Sequence, residues 1–346
     1  MHDDLRLAAL TRWLEQLPAG LALDLSSLTP ASSDASFRRY FRIRTLQDQS
    51  LIVMDAPPDK EDCQTFLDVA RLLDQARVTV PRRIAEDAGQ GFLVLSDLGT
   101  HTYYQILQTG ASDARIHRLY LDALDALIKV QRADASSLPV YDAARMREEL
   151  GLFGQWYAAM HCQSPLTDQE NQQLDTVFSE LVNTLAKQPQ VFVHRDFHSP
   201  NLMATHYPDG ADFGPNPGVI DFQDAVRGPL TYDLASLLLD ARTTWDEAQQ
   251  LDWAIRYWEM AKAADLPVPP DFADFHVAYE WMSLQRNLRI LGVFARLSHR
   301  DGKHHYLDHI PRVSAYVRQV ASRYGQFNAL LRVLNRIEKV EYGFSF

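Results

Sequence analysis

The 346-residue sequence predicts an α+β fold, with a small β-rich N-terminal lobe over residues 1–98 and a mainly helical lobe over residues 99–346. Runs with the composition of β-strands are concentrated before residue 98. After it, apolar residues spaced by three and four predominate, which is typical of helices. A chain of this length can bury the core of two domains or of one bilobed unit.

In the N-terminal lobe, apolar residues at helical spacing predict a first helix over residues 5–17, which Pro18 ends. The segments ASFRRYFRIRT and SLIVMDA, residues 35–45 and 50–56, are predicted to be two strands of a hairpin. Helical spacing then resumes in residues 66–76. Residues 90–97, QGFLVLSD, predict a buried central strand.

In the C-terminal lobe, periodic apolar residues predict helices over residues 116–130, 272–299 and 327–337. The segment TDQE, Thr167 to Glu170, has the pattern of a capping box and predicts the start of another helix.

Composition excludes several classes of function. A net charge of −11 argues against a nucleic-acid partner, which would favour a basic surface. No apolar run reaches the roughly 18 residues that a membrane span needs. The two cysteines, Cys63 and Cys162, are far apart and are interpreted as small buried hydrophobic residues. Because the N-terminus lacks the features of a signal peptide, we expect a cytoplasmic location.

The motif VFVHRDFHSPNLM…GVIDFQDA carries the strongest functional signal. Its Asp196, Asn201 and Asp221 have the spacing that phosphoryl transfer from ATP needs: one carboxylate orients the acceptor hydroxyl, while a carboxamide and a second carboxylate hold Mg²⁺. Purely structural roles as a cap, a turn residue and a strand-end carboxylate would explain each residue but not their joint spacing.

A hairpin within residues 191–224 is predicted to bring two of these residues together. Residues 191–193 and 218–220 are short β-rich runs. The segment before the second run, YPDGADFGPNPG, is dense in turn-forming residues. We therefore expect the chain to fold Asn201 back beside Asp221.

The residues around this motif resemble the aminoglycoside phosphotransferase-like kinases, which share the protein-kinase catalytic core but phosphorylate small molecules. The segment RGPLTYDLA, residues 227–235, matches the family's Gly-Pro and Tyr-Asp-Leu after the second Asp. The resemblance implies a bilobed protein-kinase-like fold that uses ATP and Mg²⁺. It implies that Asp196 is the catalytic residue and that Asn201 and Asp221 are the metal ligands. It also implies that His194 and Asp233 support the loop.

Further blocks resemble a narrower group, the bacterial kinases of the anomeric hydroxyl of N-acetylmuramate and N-acetylglucosamine. They include ASSDASFRRYFR, LIVMDAPP and GVFARLSHRDGKHHYL, and they extend from residue 31 to residue 307. The resemblance implies α-1-phosphate products in peptidoglycan recycling. The alternatives are another small acceptor (an aminoglycoside, a choline-like amino alcohol or homoserine) and a non-catalytic, kinase-like nucleotide-binding module.

The resemblance places the nucleotide at two segments. Ser32, Ser33 and Ser36 lie in the loop that would cover the phosphates, where Ser and Asp replace the usual glycines, so that a plain polar turn is the alternative. Ser96 and Leu98 lie in the segment whose backbone would pair with adenine.

The third strand lacks the lysine that kinases use to neutralise the α- and β-phosphates. Residues 51–55 contain none, and Lys60 is the only lysine before residue 129. Either Lys60 reaches the phosphates, or Arg38, Arg39 or Arg42 supplies the charge, or Mg²⁺ carries more of it. The alternative for Lys60 is a solvated surface position.

Candidate acceptor-binding residues lie in two places. Gln223 and Asp224 follow the metal-binding Asp and are interpreted either as sugar ligands or as turn and cap residues. A basic stripe lies on the helix over residues 272–299; it includes Arg286 and extends to Arg300. This stripe is interpreted either as a solvated face or as a site for a substrate carboxylate. N-acetylmuramate offers such a carboxylate. The stripe argues against the acidic cleft that aminoglycosides would need. Four nearby histidines match no closed zinc site: His299, His304, His305 and His309.

Overall fold

The computed structural model describes residues 2–33, 37–206 and 213–340. Its strands are β1 (Leu23–Ser33), β2 (Arg39–Thr45), β3 (Ser50–Asp55), β4 (Arg83–Asp87), β5 (Phe92–Ser96), β6 (Gln190–Val193), β7 (Leu202–Met203), β8 (Gly218–Val219) and β9 (Val226–Pro229). Its helices are α1 (His2–Gln16), α2 (Cys63–Gln75), α3 (Tyr103–Gln108), α4 (Asp113–Gln131), α5 (Ala143–Leu152), α6 (Asp168–Leu185), α7 (Tyr232–Leu238), α8 (Glu247–Ala263), α9 (Phe272–Asp301), α10 (Ile310–Ala321) and α11 (Asn328–Ile337). The predicted α+β class is confirmed.

The chain forms two compact units. The first contains Met1–Ile106 and Asn201–Gln223, and the second contains Leu107–Pro200 and Asp224–Phe346. The first division between the units falls within α3, and residues 201–223 also belong to the first unit. The lobe boundary near residue 98 stays a prediction. Among the described residues, no helix is long and apolar enough to cross a membrane.

An antiparallel five-stranded sheet, in the order β1-β2-β3-β5-β4, organises the first unit. The predicted hairpin of β2 and β3 and the interior strand β5 are confirmed. The edge strands β1 and β4 were not predicted, because their polar sequences LDLSSLTPASS and RIAED lack an apolar run.

Helix α1, where the sequence predicts it, covers one face of this sheet. Leu10 and Trp13 of α1 form a core with Phe41 and Ile43 of β2, and Val53 of β3 joins them. Because side chains alternate along a strand, odd-numbered residues of β2 point toward α1 and even-numbered ones point away from it.

The predicted active-site hairpin forms with different strand partners. Leu202 of β7 pairs with Val219 of β8, so the two shortest strands make the hairpin. The run over residues 191–193 is a strand as predicted, but it pairs with β9 and not with β8. Strand β7 was not predicted, because a run of two residues is too short to be recognised in the sequence.

The second unit is built around α9, whose residues 280–288 are buried on every side. The predicted helices α4, α6, α9 and α11 are confirmed, and α6 begins with the predicted capping box of Thr167 and Glu170. A π-helical segment over Phe153–His161 was not predicted. It packs against α9 near Gly292, where a Cβ atom would lie 2.5 Å from the backbone of Leu152.

Candidate active site

The hairpin in the first unit brings the two predicted metal ligands together. The Asn201 carboxamide Nδ2 donates to Oδ2 of Asp221 over 3.1 Å. The amide of Ile220 donates to the carbonyl of Asn201 over 3.1 Å, which holds the two backbones side by side. As predicted, Asn201 lies beside Asp221.

The backbone at Asp221 is held in the left-handed region, with φ at 64°. Asp tolerates this region better than most residues, and the neighbouring packing maintains it. The next side chain, Phe222, is buried and stacks on Phe66 of α2 with ring centroids 4.9 Å apart. Gln223 Nε2 donates to Oδ1 of Asp221 over 2.8 Å, so both carboxylate oxygens have amide partners.

The donor set of this pair suits Mg²⁺. One carboxylate and one carboxamide provide the hard oxygen ligands that this ion prefers, and Mg²⁺ usually takes few protein ligands with the rest from phosphates and water. Rotation of the Asn201 carboxamide by about 180° turns its oxygen to the same side as the carboxylate. Within the described ranges no three His, Cys, Asp or Glu residues cluster around a metal position, so a closed protein cage is not built there.

In the second unit, a buried carboxylate braces the loop that follows β6. Asp233, at the start of α7, accepts the backbone amide of His194 over 2.6 Å and that of Arg195 over 3.0 Å. Burial raises the pKa of Asp233 to about 7, although the two amide hydrogen bonds act in the opposite direction. The loop conformation is thus fixed by one acidic residue that lies 39 positions from His194.

Asp196 presents a carboxylate that is 38% exposed, in a positively charged environment. Burial would raise its pKa, but His198, Arg289 and Arg286 outweigh that effect and lower the pKa to about 2. Burial lowers the pKa of His198 to about 4, so at neutral pH this ring is uncharged and the arginines dominate. Asp196 is therefore ionised at any physiological pH.

Two further carboxylates that the sequence reasoning missed order this loop. Glu149 accepts Nη2 of Arg195 over 2.7 Å and lies 3.1 Å from Nε of Arg289. Asp240 accepts the amide of Ser199 over 3.1 Å and also its hydroxyl. The pattern LLLDAR marks Asp240 as an acid at the end of an apolar helix, whereas nothing in the sequence around Glu149 indicates its role.

The basic stripe on α9 divides into buried and exposed members. Arg286 is 4% exposed, and its Nε and Nη1 have no hydrogen-bond partner among the described residues. Arg300 is 56% exposed and binds Asp301 through two hydrogen bonds of 2.7 and 2.9 Å. At 1.5 Å per residue the two lie roughly 21 Å apart along the helix, so one small substrate cannot contact both. The solvated-face interpretation is wrong for Arg286 and holds for Arg300.

The remaining predicted residues have varied surroundings. Ser36 lies outside the described residues, while Ser32 and Ser33 end β1, with their backbones paired to β2. The amide of Ser96 donates to the carbonyl of Arg82 over 2.8 Å and is therefore not free for adenine. Leu98 is buried against Gly218, where a Cβ atom would lie 2.8 Å from it. Asp224 is exposed in the turn before β9.

Comparison with known proteins agrees with this geometry. The model of the phosphotransferase enzyme family (APH) matches residues 27–272. A protein of Pseudomonas aeruginosa named N-acetylmuramate/N-acetylglucosamine kinase is 45% identical over 93% of this chain and 94% of its own. A protein of the same name from Neisseria meningitidis is 41% identical over 99% of both chains.

The fold is shared with a solved structure of much lower sequence identity. The ADP-bound aminoglycoside phosphotransferase APH(2'')-Ib superimposes with a TM-score of 0.58 at 16% identity, over 89% of this chain and 98% of its own. The family model covers most of the chain, including the His194–Asp196 motif and the Asn201–Asp221 pair, and each of the two relatives covers more than nine-tenths of it. This chain therefore belongs to the phosphotransferase enzyme family.

Proposed function

We propose that this protein transfers the γ-phosphoryl group of ATP to the anomeric hydroxyl of N-acetylmuramate and N-acetylglucosamine, giving α-1-phosphates. The observation that carries the proposal is the identity of 41–45% to kinases named for these two sugars, over nearly the whole chain. The reaction would return sugars from the cell wall to biosynthesis. Because ATP is a substrate, we propose a cytoplasmic location.

Asp196 is proposed to orient the acceptor and take its proton. The anomeric oxygen attacks the γ-phosphorus, and the bond to the oxygen that bridges the β- and γ-phosphorus atoms breaks, so that ADP leaves. The hydroxyl proton passes to the Asp196 carboxylate. A carboxylate with a pKa of about 2 is a weak base, so positioning of the hydroxyl is its larger contribution. The anomeric hydroxyl suits such a base because it is the most acidic hydroxyl of the sugar.

Asn201 and Asp221 are proposed to hold Mg²⁺. When bound, the ion would neutralise charge on the phosphate oxygens. Because Gln223 donates to Asp221, its contribution to acceptor binding would act through this metal-binding carboxylate.

Arg286 is proposed to bind the lactyl carboxylate of N-acetylmuramate. Its guanidinium is buried and has two nitrogens without partners among the described residues. Leaving a buried donor unpaired costs about 1–3 kcal/mol, which a bound carboxylate would recover. The planar fork of Arg fits a carboxylate through two parallel hydrogen bonds.

An acceptor panel tests the reaction. ADP release should be fast with N-acetylmuramate and N-acetylglucosamine, and ³¹P NMR of the products should show the phosphorus coupled to the anomeric proton. The 1-deoxy and 1-O-methyl sugars, which offer every hydroxyl except a free anomeric one, should be inert. Fast turnover of either analogue, or of an aminoglycoside, choline or homoserine instead of the sugars, would refute the proposal. Absence of ADP release with every acceptor would favour the non-catalytic module.

Replacing Arg286 by Met should impair N-acetylmuramate selectively. A lost charge-assisted hydrogen bond is worth about 1.5–3 kcal/mol, so we expect kcat/KM for this sugar to fall by roughly 10- to 100-fold. N-acetylglucosamine has no carboxylate and should lose less than about threefold. As a control, Arg256→Met removes an exposed helical arginine and should change neither sugar. Equal losses for both sugars would show that Arg286 acts on the fold or on Asp196 instead.

A further inference from the structure

The cation that neutralises the nucleotide phosphates is missing from its usual place. Kinases place a lysine on the third strand and pair it with a glutamate on the following helix. Here β3 reads SLIVMD and contains no lysine. The sequence analysis left four candidates for the missing charge: Lys60, Arg38, Arg39 and Arg42.

Two of these four side chains are held by other carboxylates, and a third is an exposed surface side chain. Arg39 points to the α1 side of the sheet and binds Asp55, which Arg6 of α1 also binds. Arg42 makes two hydrogen bonds of 2.7 and 3.1 Å to Asp97 and a third to a carbonyl. Lys60 is 52% exposed, and its nearest acidic partner, Asp59, is 3.8 Å away.

Arg38 lies one position before β2, where strand alternation directs its side chain away from α1. It is 8% exposed, and its Nη2 lies 2.8 Å from Oε2 of Glu61. Glu61 is itself 13% exposed, and it precedes Asp62, the N-cap of α2. This pair therefore joins a basic residue of the sheet to the start of the helix that follows β3.

Helix α2 connects this pair to the metal-binding loop of the same unit. One turn after its N-cap, Phe66 stacks on Phe222. Phe222 is the residue after Asp221. Contacts at the two ends of the first turn of α2 therefore link the Arg38–Glu61 pair to the loop that carries Asp221.

We propose that Arg38 replaces the third-strand lysine and binds the α- and β-phosphates of the nucleotide, with Glu61 as the positioning residue that orients its guanidinium. This inference rests on the proposed kinase function. Arginine binds phosphate through two parallel hydrogen bonds, so the substitution keeps the charge and adds directional contacts. Glu61 accepts from one side of the guanidinium and fixes the orientation of the rest.

Binding of ATP, ADP and adenosine to the Arg38→Met variant, measured by calorimetry, tests the proposal. We expect affinity for ATP and ADP to fall by roughly 10- to 100-fold, while adenosine affinity stays within about twofold because adenosine has no phosphate. Arg38→Lys should restore part of the ATP affinity. The matched control Lys60→Met, which removes the neighbouring exposed cation, should bind ATP like the wild type.

Glu61→Gln should weaken ATP binding less than Arg38→Met does. The double variant Arg38→Met/Glu61→Gln should be no weaker than Arg38→Met alone, because Glu61 acts through Arg38. Unchanged ATP affinity in Arg38→Met, or an equal loss for ATP and adenosine, would overturn the proposal. If Arg38→Met does not fold, the same comparison is made with Arg38→Lys and Glu61→Gln. ADP release by the wild-type protein on the acceptor panel tests the kinase function separately.

Discussion

Replacing Asp196 by Asn should lower kcat by a factor on the order of 10²–10⁴, which is the range for removal of a general base. Asn has the same shape, so the loop that Asp233 braces stays in place. ATP binding should be retained within about twofold, because the lost charge acts on the acceptor. Single-turnover rates together with ATP titrations measure both quantities.

Asp308→Asn is the matched control, since it removes an exposed carboxylate from the same unit and should keep wild-type turnover. Asp196→Glu moves the carboxylate by one methylene and should also be slow, because the hydroxyl must be held in line with the phosphorus. Near-wild-type turnover by Asp196→Asn would show that another group accepts the proton.

Replacing Asp221 by Ala should greatly reduce turnover and remove the Mg²⁺-dependent part of nucleotide binding. A metal ion contributes several kcal/mol of charge stabilisation, and each 1.4 kcal/mol changes the rate about tenfold, so we expect kcat to fall by roughly 10³-fold. Titrating ATP with and without Mg²⁺ should give equal affinities for the variant and different ones for the wild type.

The positive φ of Asp221 requires a second variant. Ala is strained there by about 1–2 kcal/mol, whereas Asn tolerates this backbone conformation. Asp221→Asn therefore removes the charge without that strain, and it should also lose the Mg²⁺ dependence of ATP binding. If Asp221→Asn kept this dependence, the ion would be held by other ligands.

The sequence predicted best those features that depend on neighbours in the chain. The segment before Gly218 is rich in turn-forming residues, and Asn201 and Asp221 meet where β7 pairs with β8. Apolar spacing located α4 and α11 because each buries one face, and a capping box located the start of α6.

Strand partners were harder to predict. β1 and β4 lie at the edges of their sheet, where one side of the backbone needs no partner and polar side chains are tolerated. β6 pairs with β9 rather than β8, and Asp233 of α7, the helix after β9, accepts the amides of the two residues that follow β6. Such pairings are long-range, and the composition of a short run does not specify them.

By itself, the sequence determined the family, the spacing of Asp196, Asn201 and Asp221, and the helical positions of Arg286 and Arg300. Tertiary structure alone decided which charges are buried. Periodicity places both arginines on one stripe, but only the middle of α9 is covered on all sides, so Arg286 loses solvent while Arg300 keeps it. Tertiary structure also decided the burial of Arg38, which the sequence could not distinguish from its basic neighbours. Its burial beside Glu61 arises because α2, a separate element, packs next to the strand. Burial and ion pairing depend on segments that are distant in the sequence and meet only in the folded chain. For this physical reason the sequence alone does not determine them.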